Sequence, residues 1–394
     1  MIRRTLTQAL RAAARVHPFV AVTGPRQSGK TTLCRTSFPQ KPWVSLEAID
    51  SRDFAISDPR GFVAEYRGGA IIDELQRAPA LLSHLREDVD GDPRPGRFVL
   101  TSSQPFGPTS VVTKALAGRI GALTLLPPDH AELKLFGRLP GELFGTLWTG
   151  AYPRIHDRGI PPQRWLADHI AGFLQRDVRT LLPGVDGEAF TAFLKLCAGR
   201  IGQDFEIKAL STDAGISLSE ARTWLALLET SSIVVRLPAW SGNGHKAAVK
   251  AAKLHFVDSG LLCFLLGIGD TQQLRQHPLR DAIFESWVAL EIYKAYTNRG
   301  LEPSWSHFRD ASGLAVGVVV EREQQALLVE IDSGDSVDDG FAESPDPLAQ
   351  AMDAGQFGKQ PQRFFVYGGD AGQTRGAIRV VPWHRVARER WTQA

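Results

Sequence analysis

Cysteine is scarce in this sequence, and its cysteines are not arranged in pairs. Only 3 of the 394 residues are cysteine, namely Cys34, Cys197 and Cys263, and no CxxC motif joins two of them. This spacing argues against both a disulfide framework and a cysteine zinc site. A reducing compartment is therefore expected, and the cytoplasm is the predicted location.

Long apolar runs and a strong net charge are also missing. The chain has no run of about 18 apolar residues, so no membrane span is predicted. The first residues are basic at helical spacing and lack an apolar core with a cleavage site, which favours a helix over a signal peptide. The 45 Lys and Arg against 43 Asp and Glu leave a net charge of +2, which by itself indicates neither a nucleic-acid nor a membrane partner.

The first third of the chain alternates short apolar runs with helical stretches. The runs predict five strands, which are FVAVTG, WVSLE, GAIIDE, RFVLTSS and GALTLLP (residues 19–24, 43–47, 69–74, 97–103 and 121–127). This alternation is typical of an α/β fold with a parallel sheet covered by helices. Five such strands suffice for a nucleotide-binding core, and residues 1–130 are predicted to form that domain.

A mainly helical region is predicted for residues 131–275. The segments 165–182 and 188–202 have amphipathic helical patterns. Ser217 and Glu220 have the spacing of a capping box and predict the start of another helix. Two apolar runs follow, SSIVVRLPAW and LHFVD, with a basic loop between them. Helices followed by such a hairpin are the order of a winged helix.

Residues 276–394 are predicted to form a further α/β domain. A helix over residues 282–300 precedes three strand candidates, then an acidic loop, a helix and two more strands. The loop, over residues 332–347, is rich in Asp, Ser, Gly and Pro, a composition typical of a solvated turn region.

The segment GPRQSGKT, over residues 24–31, matches the phosphate-binding pattern G-x-x-x-x-G-K-[ST]. It follows an apolar strand and precedes a helical stretch, as the motif requires. Backbone N–H groups of such a loop converge on phosphate oxygens, a lysine reaches the β and γ phosphates, and a hydroxyl ligates Mg²⁺. The predicted ATP-binding residues are Gly24, Pro25, Arg26, Gln27, Ser28, Gly29, Lys30, Thr31 and Thr32.

Two acids end the predicted strand GAIIDE. Asp73 and Glu74 stand where a parallel sheet delivers side chains to a ligand, at the carboxyl edge of its strands. Asp73 is suited to hold Mg²⁺ through water, and Glu74 to orient and deprotonate the attacking water, while Thr31 would ligate the ion through its hydroxyl. Strands often end in solvated acids, but the phosphate loop upstream favours the catalytic interpretation.

Ser103 and Arg119 are further catalytic candidates. Ser103 closes the fourth strand, where its hydroxyl would contact the γ-phosphate or the water, although a serine there also caps turns. Arg119 precedes the fifth strand, where an arginine can stabilise charge on the nucleotide of a neighbouring subunit in a homo-oligomer. The alternative for Arg119 is an interaction with the negative end of a helix dipole.

Taken together, GPRQSGKTT, AIIDELQ, LTSSQ and LAGRI resemble the AAA+ type ATPases of bacteria and archaea that carry a C-terminal domain of uncharacterised function. The later segments GAYPR, FLQRDV, KLHFVDSGL and FESWVALEIYK are similar to signature segments of the same group. The resemblance implies an AAA+ like P-loop core, a winged-helix region and a terminal domain similar to restriction-endonuclease-like nucleases.

The terminal domain matches the nuclease pattern only in part. Such nucleases hold magnesium with an acid on one strand and an E-x-K pair on the next. Here Gly317 stands where the first acid belongs, and Glu330 is followed two residues later by Asp332 instead of lysine. Because only Glu285 and Glu330 fit, the domain is predicted to be a degenerate nuclease with a structural or binding role.

DNA is a candidate partner through the predicted winged helix. The hairpin loop offers His245, Lys246, Lys250 and Lys253 to a phosphate backbone, and Arg222 lies on the helix that would enter a groove. A solvated basic hairpin is the alternative. The leading hypothesis is an ATPase whose nucleotide cycle acts on its C-terminal half. A nucleotide-dependent switch or interaction protein with little turnover is the second hypothesis, and a small-molecule kinase is disfavoured because no lid motif is evident.

Overall fold

The computed structural model describes residues 2–104, 116–240, 251–309, 315–323, 325–337 and 360–392. The chain forms two compact units. The N-terminal unit contains Met1–Pro128, Thr230–Ser232 and Thr297–Leu301, and the C-terminal unit contains Asp129–Glu229, Ile233–Tyr296 and Glu302–Ala394.

A parallel sheet of five strands forms the centre of the N-terminal unit. Its strands are β1 (Phe19–Thr23), β2 (Trp43–Ser45), β3 (Ala70–Asp73), β4 (Phe98–Ser102) and β5 (Ile120–Thr124). They lie in the order β2-β3-β4-β1-β5. All five predicted strands are thus confirmed, with ends that differ from the prediction by at most three residues.

The strand order brings the ends of β1, β3 and β4 together. In the parallel register, Thr23 of β1 pairs with Ser102 of β4, and Ile72 of β3 pairs with Leu100 of β4. The connection from β1 leads past β4 and β3 to β2 at the edge of the sheet, while β4 itself pairs with β1, so the turn after β1 lies beside the end of β4. Ligands of open α/β sheets bind at such a position.

Both faces of this sheet are covered by helices, as fully apolar strands require. Successive residues of β1 point to opposite faces, so that Phe19 and Ala21 pack in one buried cluster while Val20 and Val22 pack in another. The helices are α1 (Thr7–Ala13), α2 (Lys30–Ser37), α3 (Ile49–Ser57), α4 (Pro59–Glu65) and α5 (Leu81–Gly91). A short 3-10 helix spans Leu75–Arg77.

The C-terminal unit begins with a largely helical part. Its described helices are α6 (His130–Leu133), α7 (Leu143–Thr149), α8 (Pro153–Arg158), α9 (Pro162–Phe173), α10 (Arg179–Leu181), α11 (Gly187–Gly199), α12 (Ile207–Asp213), α13 (Leu218–Thr230), α14 (Ser259–Leu265), α15 (Thr271–Gln276) and α16 (Arg280–Thr297). The helix predicted over residues 165–182 is continuous, because a π-helical segment, Leu174–Val178, joins α9 to α10.

The predicted capping box is confirmed at the start of α13. The backbone N–H of Glu220 donates to Ser217 Oγ at 3.1 Å, and the N–H of Ser217 donates to Glu220 Oε2 at 2.9 Å. After α13, β6 (Val234–Leu237) and β7 (Lys253–Phe256) pair as an antiparallel hairpin. The order of two helices and a hairpin therefore agrees with the sequence prediction.

A mixed sheet of six strands completes this unit. Its strands are β8 (Ser304–Arg309), β9 (Ala315–Glu321), β10 (Ala326–Asp332), β11 (Gln362–Tyr367), β12 (Gln373–Arg375) and β13 (Ile378–Pro382), in the order β12-β13-β11-β10-β9-β8. All five strands predicted here are present, whereas β12 has no counterpart among them. The helix predicted before β11 and most of the acidic loop lie outside the described residues.

None of the helices in these described ranges combines the length and apolar content that crossing a membrane requires.

Buried charges gather where the C-terminal unit begins. Asp129, Glu132 and Glu291 are at most 7% exposed, and Lys294 Nζ donates to Glu291 Oε1 at 3.0 Å. Asp129 caps α6 by accepting a hydrogen bond from the backbone N–H of Glu132. Burial, followed by repulsion from the charges of Glu132 and Glu291, raises the pKa of Asp129 to about 7.

Asp129→Asn is expected to raise Tm at pH 8 by about 3–8 °C and to leave it nearly unchanged at pH 4. Because the folded-state pKa lies above the ordinary value of 3.8, ionisation of Asp129 destabilises the folded state as pH rises from about 4 to about 7. Asparagine keeps the cap and carries no charge. Scanning calorimetry at both pH values tests this, and an equal shift at pH 4 and pH 8 would contradict it.

Candidate nucleotide site

The glycine turn between β1 and α2 has a backbone that excludes larger residues at its first position. Gly24 has φ 139°, and a Cβ there would collide with the carbonyl oxygen of Leu125. Gly29, at the N-cap of α2, has φ 100°. The turn therefore packs against the chain that leaves β5, and α2 begins directly behind it.

Lys30 is buried within this turn. Its Nζ donates to the carbonyl oxygens of Gly24 and Pro25, each at 2.9 Å, and the residue is 5% exposed. Burial lowers the pKa of Lys30 to about 8, partly offset by the charges of Glu74 and Asp73. The ammonium group thus lies inside the turn, and among the described residues its hydrogen-bond acceptors are backbone carbonyls.

Asp73 joins the turn to the third strand. Its Oδ1 accepts hydrogen bonds from Thr31 Oγ1 at 2.6 Å and from Thr101 Oγ1 at 2.5 Å. Ser45 Oγ lies 3.5 Å from the other oxygen, Oδ2. Thr31 and Asp73 are 42 residues apart in sequence, and the structure brings their side chains together.

Glu74 turns the chain away from the sheet directly after Asp73. Its φ of 58° lies in the left-handed region, where side chains with a Cβ are uncommon. Its N–H donates to Thr101 Oγ1 at 3.1 Å. Since the same hydroxyl donates to Asp73, Thr101 links the backbone of one acid to the carboxylate of the other.

The carboxylate of Glu74 is held by two side chains. Its Oε2 accepts hydrogen bonds from Gln76 Nε2 at 2.6 Å and from Ser103 Oγ at 3.1 Å, and Gln76 Nε2 also donates to Ser103 Oγ at 2.8 Å. Glu74 is 9% exposed and Ser103 is 4% exposed. Ser103, for which a contact with the γ-phosphate or the water is predicted, contacts Glu74 in the structure.

Thr101→Val is expected to lower Tm clearly below the wild-type value. Thr101→Ser is expected to have a Tm close to that of the wild type. Valine has the shape of threonine but would leave the buried N–H of Glu74 without its acceptor and Asp73 without one donor, at a cost of about 1–3 kcal/mol. Serine keeps the hydroxyl. Thermal unfolding of the two variants measures the difference, and equal Tm values for them would contradict this role of the hydroxyl.

Arg4 supports the turn from outside the motif. Its guanidinium donates to the carbonyl oxygens of Ser28 at 3.0 Å and of Leu126 at 2.7 Å, and the residue is 7% exposed. The N-terminal segment is thus tied both to the glycine turn and to the end of β5. Ser28 itself is fully buried.

Among the remaining predicted residues of the turn, Pro25 is buried, Arg26 is partly buried and Gln27 is exposed, whereas Arg119 lies elsewhere. Arg26 Nη1 is 3.9 Å from Glu47 Oε1, and Thr32 is exposed on α2. Arg119 precedes β5 and forms an ion pair with Asp90, with a distance of 2.6 Å from Nε to Oδ1. Within the described chain Arg119 contacts none of the residues around Lys30 and Asp73.

The two acids that fitted the nuclease pattern are both in ion pairs. Glu285 Oε1 lies 2.7 Å from Lys253 Nζ, and Glu330 Oε1 lies 3.3 Å from Arg363 Nη2. Gly317 lies on β9, where an added Cβ would meet Ile331 at 3.2 Å. Among the described residues, no group of three or more His, Cys, Asp or Glu side chains could hold a metal ion.

One expectation about DNA contact is wrong. Lys253 was expected in an exposed loop, but it begins β7, is 8% exposed and forms its ion pair with Glu285. A lysine buried in this way cannot reach a phosphate backbone at the surface. Arg222 is exposed on α13, as expected. His245, Lys246 and Lys250 lie outside the described residues.

Sequence reasoning did not single out three residues of this region. Thr101 and Gln76 lie inside segments that were recognised for other reasons, FVLTSS and AIIDELQ, and a hydroxyl or amide at the end of a strand next to two acids is the signal that could have identified them. Arg4 gave no signal, because its acceptors lie 24 and 122 residues away in sequence.

Three family models match the chain in succession. Residues 16–134 match the AAA domain, residues 141–272 match a domain of unknown function (DUF8612), and residues 280–386 match another (DUF4143). The first match spans the glycine turn and the five strands of the parallel sheet, and together with them it supports an AAA-type P-loop domain in this part of the chain. The match to DUF4143 lies near the end of the chain.

Two curated relatives resemble most of this chain. Two uncharacterized proteins, of Mycobacterium bovis and of Mycobacterium tuberculosis, are each 29% identical over 302 residues. The match covers 74% of this chain, which spans only 65% of the length of each of these relatives.

Two of the similar solved structures are those of a Walker-type ATPase and of a protein bound to AMPPCP. The Walker-type ATPase of Pyrococcus abyssi is 15% identical, with a TM-score of 0.43, over 66% of this chain and 94% of its own. AMPPCP-bound DnaA from Aquifex aeolicus is 13% identical, with a TM-score of 0.27. The match covers 57% of this chain and 85% of the DnaA chain. Because both scores are below 0.5, the domain assignment rests on the family match and on the geometry of the site.

Proposed function

We propose that this protein binds ATP with Mg²⁺ and hydrolyses it, and that the nucleotide state acts on the C-terminal half of the chain. The observation that carries the proposal is the hydrogen bond of 2.6 Å between Thr31 Oγ1 and Asp73 Oδ1, with Glu74 adjacent to it. It brings the first hydroxyl of α2 to the end of β3, where phosphoryl transfer requires the metal ligands.

The turn between β1 and α2 suits a triphosphate. Lys30 Nζ is bonded only to two carbonyl oxygens of its own turn among the described residues, and phosphate oxygens are stronger acceptors for an ammonium group. The N-terminus of α2 adds the backbone N–H groups and the positive end of its dipole. We therefore assign residues 24–32 to the binding of the phosphates.

The oxygens of Thr31 and Asp73 suit Mg²⁺. Magnesium prefers hard oxygen ligands and is commonly bound by one or two protein side chains together with substrate phosphates, not by a cage of carboxylates. A hydroxyl and a carboxylate at hydrogen-bond distance from each other provide such a pair. When bound, the ion would neutralise part of the negative charge of the phosphates.

Glu74 is assigned as the general base. Its carboxylate accepts a proton from a water molecule as the water oxygen bonds to the γ-phosphorus, and the bond from that phosphorus to the β–γ bridging oxygen breaks to give ADP and inorganic phosphate. Ser103 is assigned to this step through its contact with the same carboxylate. The action of Arg119 on a neighbouring subunit stays a prediction, since in the described structure its guanidinium is in an ion pair with Asp90.

DNA remains the proposed partner of the C-terminal half. Support comes from the order of α12, α13 and the β6–β7 hairpin, which is that of a winged helix, and from exposed Arg222. The ion pairs of Glu285 and Glu330 favour a binding or structural role of the terminal domain over nuclease activity.

Steady-state phosphate release from the purified chain tests the proposal, with ATP at millimolar concentration and with Mg²⁺ or EDTA. Turnover that requires Mg²⁺ is expected, and a panel of single-stranded and double-stranded DNA shows whether nucleic acid changes the rate. Absence of ATP binding would overturn the whole proposal. Tight binding without phosphate release would instead favour the nucleotide-dependent switch.

A further inference from the structure

The amide of Gln76 occupies a specific position beside Glu74. Its Nε2 lies 2.6 Å from Glu74 Oε2 and 2.8 Å from Ser103 Oγ, so the two N–H bonds of the amide have one acceptor each. The Ser103 hydroxyl donates to the same Oε2 at 3.1 Å. One oxygen of the carboxylate therefore accepts two hydrogen bonds, and the other, Oε1, accepts none from the described residues.

The backbone explains why Gln76 reaches back to Glu74. The left-handed conformation of Glu74 ends β3 and begins the 3-10 helix Leu75–Arg77. Leu75 is fully buried and fixes this helix against the sheet. A side chain two residues after Glu74 is thereby directed to the end of β4, where Ser103 lies.

Anchoring one oxygen fixes the rotation of the whole carboxylate. A carboxylate on a free side chain samples several rotamers, and catalysis by a general base depends on holding it within hydrogen-bond distance of its proton. Gln76 and Ser103 restrict Glu74 to one orientation. The oxygen without a partner is then the one available to a water molecule.

The amide oxygen of Gln76 also needs a hydrogen-bond donor. Gln76 Oε1 is buried and has no donor among the described residues. A buried acceptor of this kind is costly unless a donor such as an ordered water satisfies it. The cluster thus combines a carboxylate oxygen and an amide oxygen that each still need a donor.

We propose that Gln76 is a positioning residue for ATP hydrolysis, which holds the carboxylate of Glu74 through Oε2 so that Oε1 accepts the proton of the attacking water. The inference rests on the proposed function. Gln76 does not contact the phosphates in this assignment and acts only through Glu74. It should therefore affect the rate of the chemical step and not the affinity for nucleotide.

Gln76→Met tests this directly, because methionine has a similar length and removes both N–H donors. The kcat of ATP hydrolysis is expected to fall about 10- to 100-fold, while the KM for ATP and its Kd stay within about twofold. Gln40→Met, at an exposed position of the same unit, serves as the matched control and is expected to keep the wild-type kcat.

A double variant separates positioning from a structural effect. In the Glu74→Gln background, where the base is already removed, adding Gln76→Met is expected to change the residual rate by less than about twofold. A further large loss in that background, or a loss of ATP affinity in Gln76→Met, would show that Gln76 supports the site structurally and would overturn the inference.

The two assignments fail in different ways. If Glu74→Gln keeps the wild-type rate, the proposed mechanism fails and the role of Gln76 fails with it. If Glu74→Gln is slow but Gln76→Met is as fast as the wild type, only the inference about Gln76 is overturned. Thermal unfolding of each variant confirms that the proteins compared are folded.

Discussion

Glu74→Gln is expected to lower the turnover of ATP by about 10²- to 10⁴-fold while ATP still binds with a Kd within about threefold of the wild-type value. Glutamine keeps the size and polarity of the side chain but cannot accept the proton of water. Because Lys30, Thr31 and Asp73 are untouched, the groups assigned to the phosphates and the metal remain in place.

Phosphate release and equilibrium binding of a fluorescent ATP analogue measure the two effects separately. Glu87→Gln, on the exposed side of α5, is the matched control and should retain full turnover. An unchanged rate in Glu74→Gln would remove this residue from the mechanism. A parallel loss of binding would mean that Glu74 holds the turn and not the water.

Lys30→Met is expected to weaken ATP binding by about 30-fold or more and to reduce turnover to background. Truncating one partner of a buried, hydrogen-bonded charge pair costs about 2–5 kcal/mol, and each 1.4 kcal/mol is tenfold in affinity. Methionine fills similar space, so the loss reports the ammonium group and not a cavity.

The same variant should not destabilise the free protein. Lys30 is a buried cation whose acceptors are two neutral carbonyls, so its removal takes away a desolvation cost. Calorimetry of Lys30→Met without nucleotide is expected to give a Tm at or above the wild-type value. Lys195→Met, at an exposed position of α11, controls for the loss of one positive charge. ATP affinity equal to that of the wild type in Lys30→Met would contradict the assignment of the phosphate site.

The acids and the glycine turn could be predicted because their signals are local. GPRQSGKT has a fixed spacing, and its first glycine is required by a backbone that no residue with a Cβ can adopt beside Leu125. Asp73 and Glu74 follow an apolar run, and parallel strands deliver their ends to one edge. Both the motif spacing and the position of acids at the end of an apolar strand can be read from neighbouring residues in the sequence.

The fold of the two sheets followed from the same kind of signal. Strand positions depend on runs of apolar residues, which is why the strands of both units were found to within a few residues. The short strand β12, residues QTR, was missed because it has no apolar pattern and exists only by pairing with β13. Likewise, nothing in the spacing of Lys253 showed that it is buried against Glu285.

By itself, then, the sequence determined that a phosphate-binding turn, two strand-end acids and a chain of helices and strands are present, because each depends on neighbours within a few residues. Only the tertiary structure decided that Thr101 links Asp73 to Glu74, that Gln76 and Ser103 hold one oxygen of Glu74, and that Arg4 ties the first segment to the turn. Several of these bonds join residues that are 24 to 29 positions apart. Strand order and register determine which polar side chains lie close together. Because buried polar groups need hydrogen-bond partners, these side chains then bond to one another.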